Sequence, residues 1–172
     1  MSDNARISFP IFLTNTRSDP TGASLVVALE FKRGGQSFAI LSVYLPPYAS
    51  VNKPESAALH SRIQRFLRSR KITGTSHRAY LQDLIDKWVT AWETRGFVVL
   101  MGGDLNGIME NIRGKQTMLS WISGLRMTIP LTTLLLPRYP DFFTWTAGEA
   151  RTRIDHIGIS RTPDTGPYHK LV

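Results

Sequence analysis

The segment that decides the fold is residues 97–106, FVVLMGGDLN, in which five apolar residues run into two glycines, an acid and an amide. A short apolar run bounded by turn residues is typical of a buried strand. Side chains two positions apart on an extended backbone face the same way, so we expect Asp104 and Asn106 to face one reacting centre. The two glycines remove side chains that would block a substrate. The pattern therefore predicts, at a strand end, a site that activates water and holds a phosphate.

Composition restricts the classes of protein that fit. A chain of 172 residues suits one domain, and its 42% hydrophobic and 20% charged residues are typical of a globular protein. Lys and Arg total 21 against 13 Asp and Glu, and the resulting net charge of +8 favours a polyanionic partner. Nucleic acid is the first candidate and an anionic membrane surface the second. Charge alone leaves open a basic protein that has no such partner.

The absence of cysteine excludes disulfides, thiol catalysis and cysteine-based zinc sites. The longest apolar stretches, residues 7–13 and 128–136, are too short to span a membrane, and each contains a proline. We therefore expect no membrane association and an intracellular location, with the nucleus included.

A β-hairpin is predicted in the first third of the chain. One strand shows alternating apolar residues, as on one face of a strand: Leu25, Val27, Leu29 and Phe31. A second strand at 37–44 follows a turn at 32–36, so the two strands are expected to pair. Glu30 lies in the other register of the first strand and is expected to be exposed.

Two amphipathic helices are predicted next. Residues 55–69 place apolar side chains on one side and arginines around the rest, including Arg62, Arg65 and Arg68. The second helix has an N-cap at Ser76, a C-terminal cap at Gly96 and an apolar face of Leu81, Leu84, Ile85, Trp88 and Trp92. Three further elements are predicted downstream: a weaker helix at 116–127 and short strands at 142–145 and 153–160.

Three separate motifs then fall into a recognisable order. They are VYLPP at 43–47, GDLN at 103–106, and FTW at 143–145 followed by RIDHI at 153–157. In this order they resemble the endonuclease/exonuclease/phosphatase superfamily, whose members include the deoxyribonuclease-I-like and exonuclease III-like enzymes. The resemblance runs from about Leu25 to Ser160. Within the superfamily, it is strongest to the endonuclease domains of LINE-type retrotransposons.

The resemblance implies a fold and a reaction. The expected fold is an α+β, four-layer αββα sandwich, in which helices flank two mainly antiparallel sheets. The expected reaction is hydrolysis of a phosphate ester, with nucleic acid and most of all DNA as substrate. It implies a divalent metal, Mg²⁺ or Mn²⁺, and no organic cofactor. A phosphoinositide or another phosphate ester is an alternative substrate, because the superfamily includes such members.

The resemblance also assigns candidate roles to residues. Asp104 would orient or deprotonate the attacking water, and Asn106 would hold that water or a phosphate oxygen. Tyr44 would donate a hydrogen bond to the phosphate, and Asp155 would steer a histidine that stabilises the developing charge. Arg153 is a candidate for substrate binding, and the ligands of the metal are left unassigned.

Each assignment has an ordinary structural alternative. Asp104 and Asn106 are common turn residues, and Tyr44 is also explained as a half-buried strand aromatic with its hydroxyl in water. Asp155 could pair with Arg153 alone. His156 follows the acid where the superfamily often has an aromatic residue, and we interpret it as structural.

The sequence departs from the superfamily pattern at both ends. The metal-binding glutamate of an early strand has no counterpart before Leu25, and the terminal Ser-Asp-His segment has none after Ser160; His169 has the wrong neighbours. We therefore expect residues 1–172 to form a single incomplete domain that lacks N-terminal and C-terminal elements. Its exposed apolar flank would favour association or pairing with a complementary fragment. The alternative function is a catalytically inactive, basic nucleic-acid-binding remnant of a retroelement endonuclease.

Overall fold

The computed structural model describes residues 11–46, 54–106, 118–128, 145–147, 150–152 and 155–160. The fold class is α+β, as the sequence predicts. In chain order, the described elements are β1 (Phe12–Ser18), β2 (Val26–Arg33), β3 (Gln36–Tyr44), α1 (Pro54–Ser69), α2 (His77–Thr94), β4 (Val98–Asp104), α3 (Met118–Gly124), β5 (Met127–Thr128), β6 (Trp145–Ala147), β7 (Ala150–Thr152) and β8 (Asp155–Ser160).

The described strands form one six-stranded sheet in the order β1-β2-β3-β4-β8-β5 and a separate pair of β6 and β7. Strands β3 and β4 are parallel, whereas the other neighbouring strands of the described sheet are antiparallel. A parallel pair needs a long connection between its strands, and here α1 and α2 lie in that connection. The C-terminal ends of β3 and β4 consequently meet at one edge of the sheet.

The predicted hairpin is confirmed. Strands β2 and β3 pair from Val26 opposite Val43 to Arg33 opposite Gln36. The turn between them consists of Gly34 and Gly35, with φ of 55° and 80°. Such left-handed pairs match the twist of the flanking strands, and glycine adopts them without a steric penalty.

The helices cover one face of the sheet, and the alternating apolar residues of β2 lie on the other face. Val26 and Ala28 are buried, whereas Val27 and Leu29 are each 40% exposed. The core consists of this sheet face and the inner sides of the helices, with Leu41, Ile63, Leu81, Ile85, Val89, Trp92, Val99 and Met101 among its members. In the described part of the chain, the opposite sheet face exposes Val27, Leu29, Ile40 and Ile157, and we call it the open face. An uncovered apolar sheet face agrees with an incomplete sandwich.

The expectation that Glu30 is exposed is wrong. Its side chain is 3% exposed and lies on the helix side, where it accepts hydrogen bonds from Trp92 Nε1 and Arg17 Nε, each at 2.8 Å. Arg95 Nη1 lies 3.8 Å from the second carboxylate oxygen. Burial by itself raises the pKa of Glu30, but the Trp92 hydrogen bond and the charges of Arg17 and Arg95 outweigh it and lower the pKa. The alternation of apolar residues does not predict the burial of Glu30, because a carboxylate is buried only when hydrogen-bond and charged partners surround it.

Both long helices agree with the sequence prediction. Ser76 caps α2, and its hydroxyl oxygen accepts a hydrogen bond from Ala79 N at 3.1 Å. Gly96, at φ 73°, follows the last turn of α2, and Phe97 N donates back to Trp92 O. The two helices meet through side chains of both, such as the rings of Phe66 and Tyr80, whose centroids are 5.7 Å apart.

For the downstream elements, the described bounds agree only partly with the prediction. Helix α3 ends at Gly124, and Met127 belongs instead to β5, where it pairs with Ser160 of β8. Of the two predicted strands, 142–145 overlaps β6 only at Trp145, and 153–160 corresponds to β8; residues 142–144, 153 and 154 lie outside the described residues. None of the helices in the described ranges has the length and apolar character that crossing a membrane requires.

We expect Glu30→Gln to lower the free energy of unfolding at neutral pH by about 2 kcal/mol, because hydrogen bonds to a charged group contribute roughly that amount. The folded pKa of Glu30 is lowered, so its stabilisation is fully present above the ordinary value of 4.5 and is lost as the pH falls through the folded pKa. Urea denaturation of both proteins across this range checks the sign.

The difference in the free energy of unfolding between the wild type and Glu30→Gln should therefore become smaller at acidic pH. Asp83→Asn is the matched control, because Asp83 is 61% exposed in its pair with Lys87 and should change stability little at any pH. A difference for Glu30→Gln that grows in acid would contradict the interpretation of Glu30 as a stabilising buried carboxylate.

Candidate functional site

Three of the predicted site residues occupy one row across three adjacent strands. Tyr44 of β3 is the register partner of Asp104 of β4, and Asp104 is the register partner of Asp155 of β8. We call these three positions the register row. Neighbouring strands are about 4.8 Å apart, and register partners lie on the same face of a sheet. The row lies at the edge of the sheet where β3 and β4 end. It belongs to the open face, because the next row on the same face, two residues away along each strand, consists of Ser42, Gly102 and Ile157, and Ile157 is exposed on that face.

The side chains of the row are accessible where the structure describes them. Tyr44 is 38% exposed and Asp104 is half-buried. His156, although next to Asp155 in sequence, is 7% exposed and pairs with Gly103, so it lies on the helix side of the sheet. This placement agrees with the interpretation of His156 as structural. Arg153 lies outside the described residues.

Gly103 allows β3 and β4 to reach this register. Its φ is 140°, and a Cβ atom built there would overlap the carbonyl oxygen of Val43 on the neighbouring strand. A Cβ built on Gly102 would instead make ordinary contacts, at 3.7 Å from His156 O and from Ile157 Cγ1. The backbone that approaches Gly103 closely is therefore that of β3, whereas the sequence analysis expected a substrate.

The turn after β4 holds Asp104 and Asn106 in different conformations. Strand β4 ends at Asp104, and Asn106 has a φ of 41°, so the backbone is not extended at Asn106. Asn106 N donates to Asp104 Oδ1 at 2.9 Å, and Asn106 Nδ2 donates to Leu45 O at 3.0 Å. The expectation of an extended backbone from Asp104 through Asn106 is wrong, because the carboxylate itself closes the turn. Asn106 instead joins the turn after β4 to the end of β3.

Arg78 is a residue of this region that the sequence analysis missed. It lies on α2 and is 5% exposed. Its guanidinium donates to Pro46 O at 2.8 Å and to Leu105 O at 2.6 Å, and more weakly to Asn106 O at 3.3 Å. One side chain therefore ties the segment after β3 to the segment after β4. A signal was present, because position 78 lies three residues before Leu81 on the buried face of α2.

The residues present match only part of a divalent-metal site. Magnesium is usually bound through one or two carboxylates together with waters and substrate phosphates. The register row offers the carboxylate of Asp104 and the position of Asp155 for this purpose. In the part of the chain that the structure describes, no group of three His, Asp or Glu side chains could hold a metal ion.

Comparison with known proteins identifies the fold. Neither a family model nor a curated protein matches the sequence. The structure is similar to TDP2 from Caenorhabditis elegans, with a TM-score of 0.50 and 16% identity over 87% of this chain and 41% of that one. It is also similar to the catalytic domain of human Nocturnin with a bound sulfate anion, with a TM-score of 0.50 and 14% identity over 88% of this chain and 48% of that one.

Both solved structures are deoxyribonuclease-I-like members of the endonuclease/exonuclease/phosphatase superfamily. At this identity the similarity establishes the fold alone: the chain has a partial deoxyribonuclease-I-like α+β fold. It spans between 40% and 56% of the length of the solved chains that it resembles.

We expect Gly103→Ala to destabilise the fold by about 3 kcal/mol or more, because alanine at this φ is strained and its Cβ would overlap Val43. Gly102→Ala is the matched control and should cost less than about 1 kcal/mol, since its Cβ fits. Urea denaturation of the two variants measures the difference. Equal stability of the two variants would contradict the close approach of β3 to Gly103.

We expect Arg78→Met to lower the free energy of unfolding by about 3 kcal/mol, because buried carbonyl oxygens lose a charged donor. The amide protons of Leu45 and Asn106, which hydrogen bond to Asp104, should exchange faster with solvent. Arg68→Met, at an exposed position of α1, is the control and should change neither measurement. Unchanged exchange in Arg78→Met would show that Arg78 does not hold the two segments together.

Proposed function

We propose that the chain is a metal-dependent phosphodiester hydrolase domain of the endonuclease type, acting on nucleic acid and most of all on DNA. The observation that supports this best is the register row, in which Tyr44, Asp104 and Asp155 come from distant parts of the sequence to adjacent strands. The deoxyribonuclease-I-like fold and the net charge of +8 support the same function. We further propose an intracellular location, with the nucleus included.

In the proposed reaction, each residue of the chain has a separate task. Asp104 orients or deprotonates the attacking water, and its hydrogen bond from Asn106 N fixes the carboxylate for that task. Tyr44 donates a hydrogen bond from its hydroxyl to a phosphate oxygen. Asp155 has the position of the acid that orients a histidine in the superfamily, although residues 1–172 contain no counterpart of that histidine, and Arg153 contacts the substrate. Asn106 holds the water or a phosphate oxygen through its side-chain carbonyl, because its amide nitrogen is engaged by Leu45 O.

We propose Mg²⁺ or Mn²⁺ as the metal of this reaction, for which the described residues supply part of a site. A bound divalent ion would neutralise charge on the phosphate oxygens, and Asp104 is the described side chain that would help to hold it. No organic cofactor is proposed. The domain is proposed to be a single incomplete unit of residues 1–172, related to LINE-type retrotransposon endonucleases through the motifs at 43–47 and 153–157.

A plasmid-nicking assay tests the proposed activity. In Mg²⁺ or Mn²⁺, the protein should convert supercoiled plasmid to the open-circular form, and Asp104→Ala should reduce the rate by about 100-fold or more. Asp83→Ala removes an exposed acid of α2 and should leave the rate unchanged. Circular dichroism establishes that both variants are folded. No nicking by the wild-type protein with either metal would contradict the proposed activity.

The alternative is a catalytically inactive nucleic-acid-binding remnant. It is favoured by the lack of a three-residue metal cluster among the described residues and by the exposed arginines of α1, Arg62, Arg65 and Arg68. In this case the protein would bind DNA in a salt-sensitive manner without cutting it. Neutralising these three arginines would weaken binding, whereas Asp104→Ala would leave it unchanged.

A further inference from the structure

A second polar site lies at the other end of the sheet. A cavity of about 570 Å³ is lined by three cationic side chains, Arg17, Lys32 and Arg95, together with Glu30, Phe97 and neutral polar residues. Glu30 is the register partner of Ala39, which precedes Tyr44 by five positions on β3. Five residues of strand span about 16 Å, and Glu30 faces the helix side. The cavity is therefore separate from the register row in both position and face.

Two arginines of this cavity are held in fixed orientations. Arg17 Nε donates a hydrogen bond to Glu30 Oε1 at 2.8 Å, and Arg17 Nη2 forms an ion pair with the same oxygen at 2.8 Å. Arg95 has its guanidinium carbon 4.6 Å from the centre of the Phe97 ring and one nitrogen 3.8 Å from Glu30 Oε2. Arg17 and Arg95 are nevertheless 32% and 52% exposed, so both guanidinium groups still reach solvent.

Glu30 does not neutralise the cavity. Its Oε1 already accepts hydrogen bonds from Arg17 and Trp92, and the side chain is only 3% exposed. The carboxylate thus lies behind the arginines and holds them, while one negative charge faces three positive ones. The surplus charge is directed to the open side of the cavity.

We propose that this cavity binds the phosphate group of a ligand of about nucleotide size. Arginine presents planar, paired donors that match phosphate oxygens, and arginines already held in place lose less entropy on binding. The volume lies within the range of small-ligand sites and exceeds what one phosphate needs. The phosphate belongs either to a free nucleotide or to the backbone of a nucleic acid.

Titration calorimetry with the 172-residue chain tests the site. The probes are inorganic pyrophosphate, adenosine monophosphate and a short single-stranded oligonucleotide, all with a chelator so that nothing is hydrolysed. We expect saturable binding that Arg95→Gln and Lys32→Gln each weaken by about tenfold, which corresponds to one charge-assisted contact. Lys87→Gln removes one positive charge from α2, where the Lys87 side chain is 71% exposed, and we expect it to leave the affinity for every probe unchanged.

The outcomes distinguish a free nucleotide from a nucleic-acid backbone as the source of the phosphate. They also distinguish this phosphate site from the proposed nicking activity. Binding of the nucleotide that is sensitive to Arg95→Gln supports a free ligand, whereas sensitive binding of the oligonucleotide alone supports a nucleic-acid backbone. The absence of saturable binding by every probe, or equal weakening by Lys87→Gln, overturns the site. Asp104→Ala should bind every probe like wild type, so a loss of nicking and a loss of this site are separate results.

Discussion

The candidate site depends on the parallel contact between β3 and β4. The two strands come from segments separated by two helices, and they align so that Tyr44 and Asp104 end the ladder together. This alignment requires glycine at position 103, because any Cβ there would overlap the Val43 carbonyl. The hydrogen bond from Leu45 N to Asp104 O, at 2.9 Å, continues the contact beyond the last pair of the strands. Without this contact, the tyrosine and the acid would have no common edge.

Two buried charges support opposite ends of the sheet in different ways. Arg78 is a cation that satisfies backbone carbonyls after β3 and β4, so it fixes loops. Glu30 is an anion that binds side chains, so it fixes Arg17 and Trp92 against the sheet. Burying either charge alone would be strongly unfavourable, and each is retained with several hydrogen-bond partners. Buried Arg78 and Glu30 therefore hold the loops and side chains at the two ends of the sheet in place, while the apolar core packs the helices against the sheet between them.

Local signals predicted most of the fold. The hairpin, the two long helices and the caps at Ser76 and Gly96 follow from alternation, periodicity and turn chemistry, which act within a few residues. The face of β2 that becomes buried was not predictable in this way. Val27 and Leu29 are more apolar than Ala28 and Glu30, yet the helices cover Ala28 and Glu30. Tertiary packing, and not the hydrophobicity of the strand alone, decides which face is buried.

For the site, the sequence identified residues but not their geometry. Tyr44, Asp104 and Asp155 were chosen from motifs, and the register row is a property of strand pairing that no single motif contains. Asn106 was placed on an extended backbone, whereas the turn closed by Asp104 puts it in a left-handed conformation. Arg78 belongs to no motif, and its role appears only when the helix and both loops are seen together.

Strand register also decides whether Asp155 or His156 lies in the row. Because side chains alternate between faces, a slip of β8 by one residue would exchange the two and place an acid in the helix-side core. Ser160 opposes such a slip, since its buried hydroxyl accepts a hydrogen bond from Val99 N at 2.8 Å. The C-terminal half of β8 thus determines which residue its first position presents to Asp104.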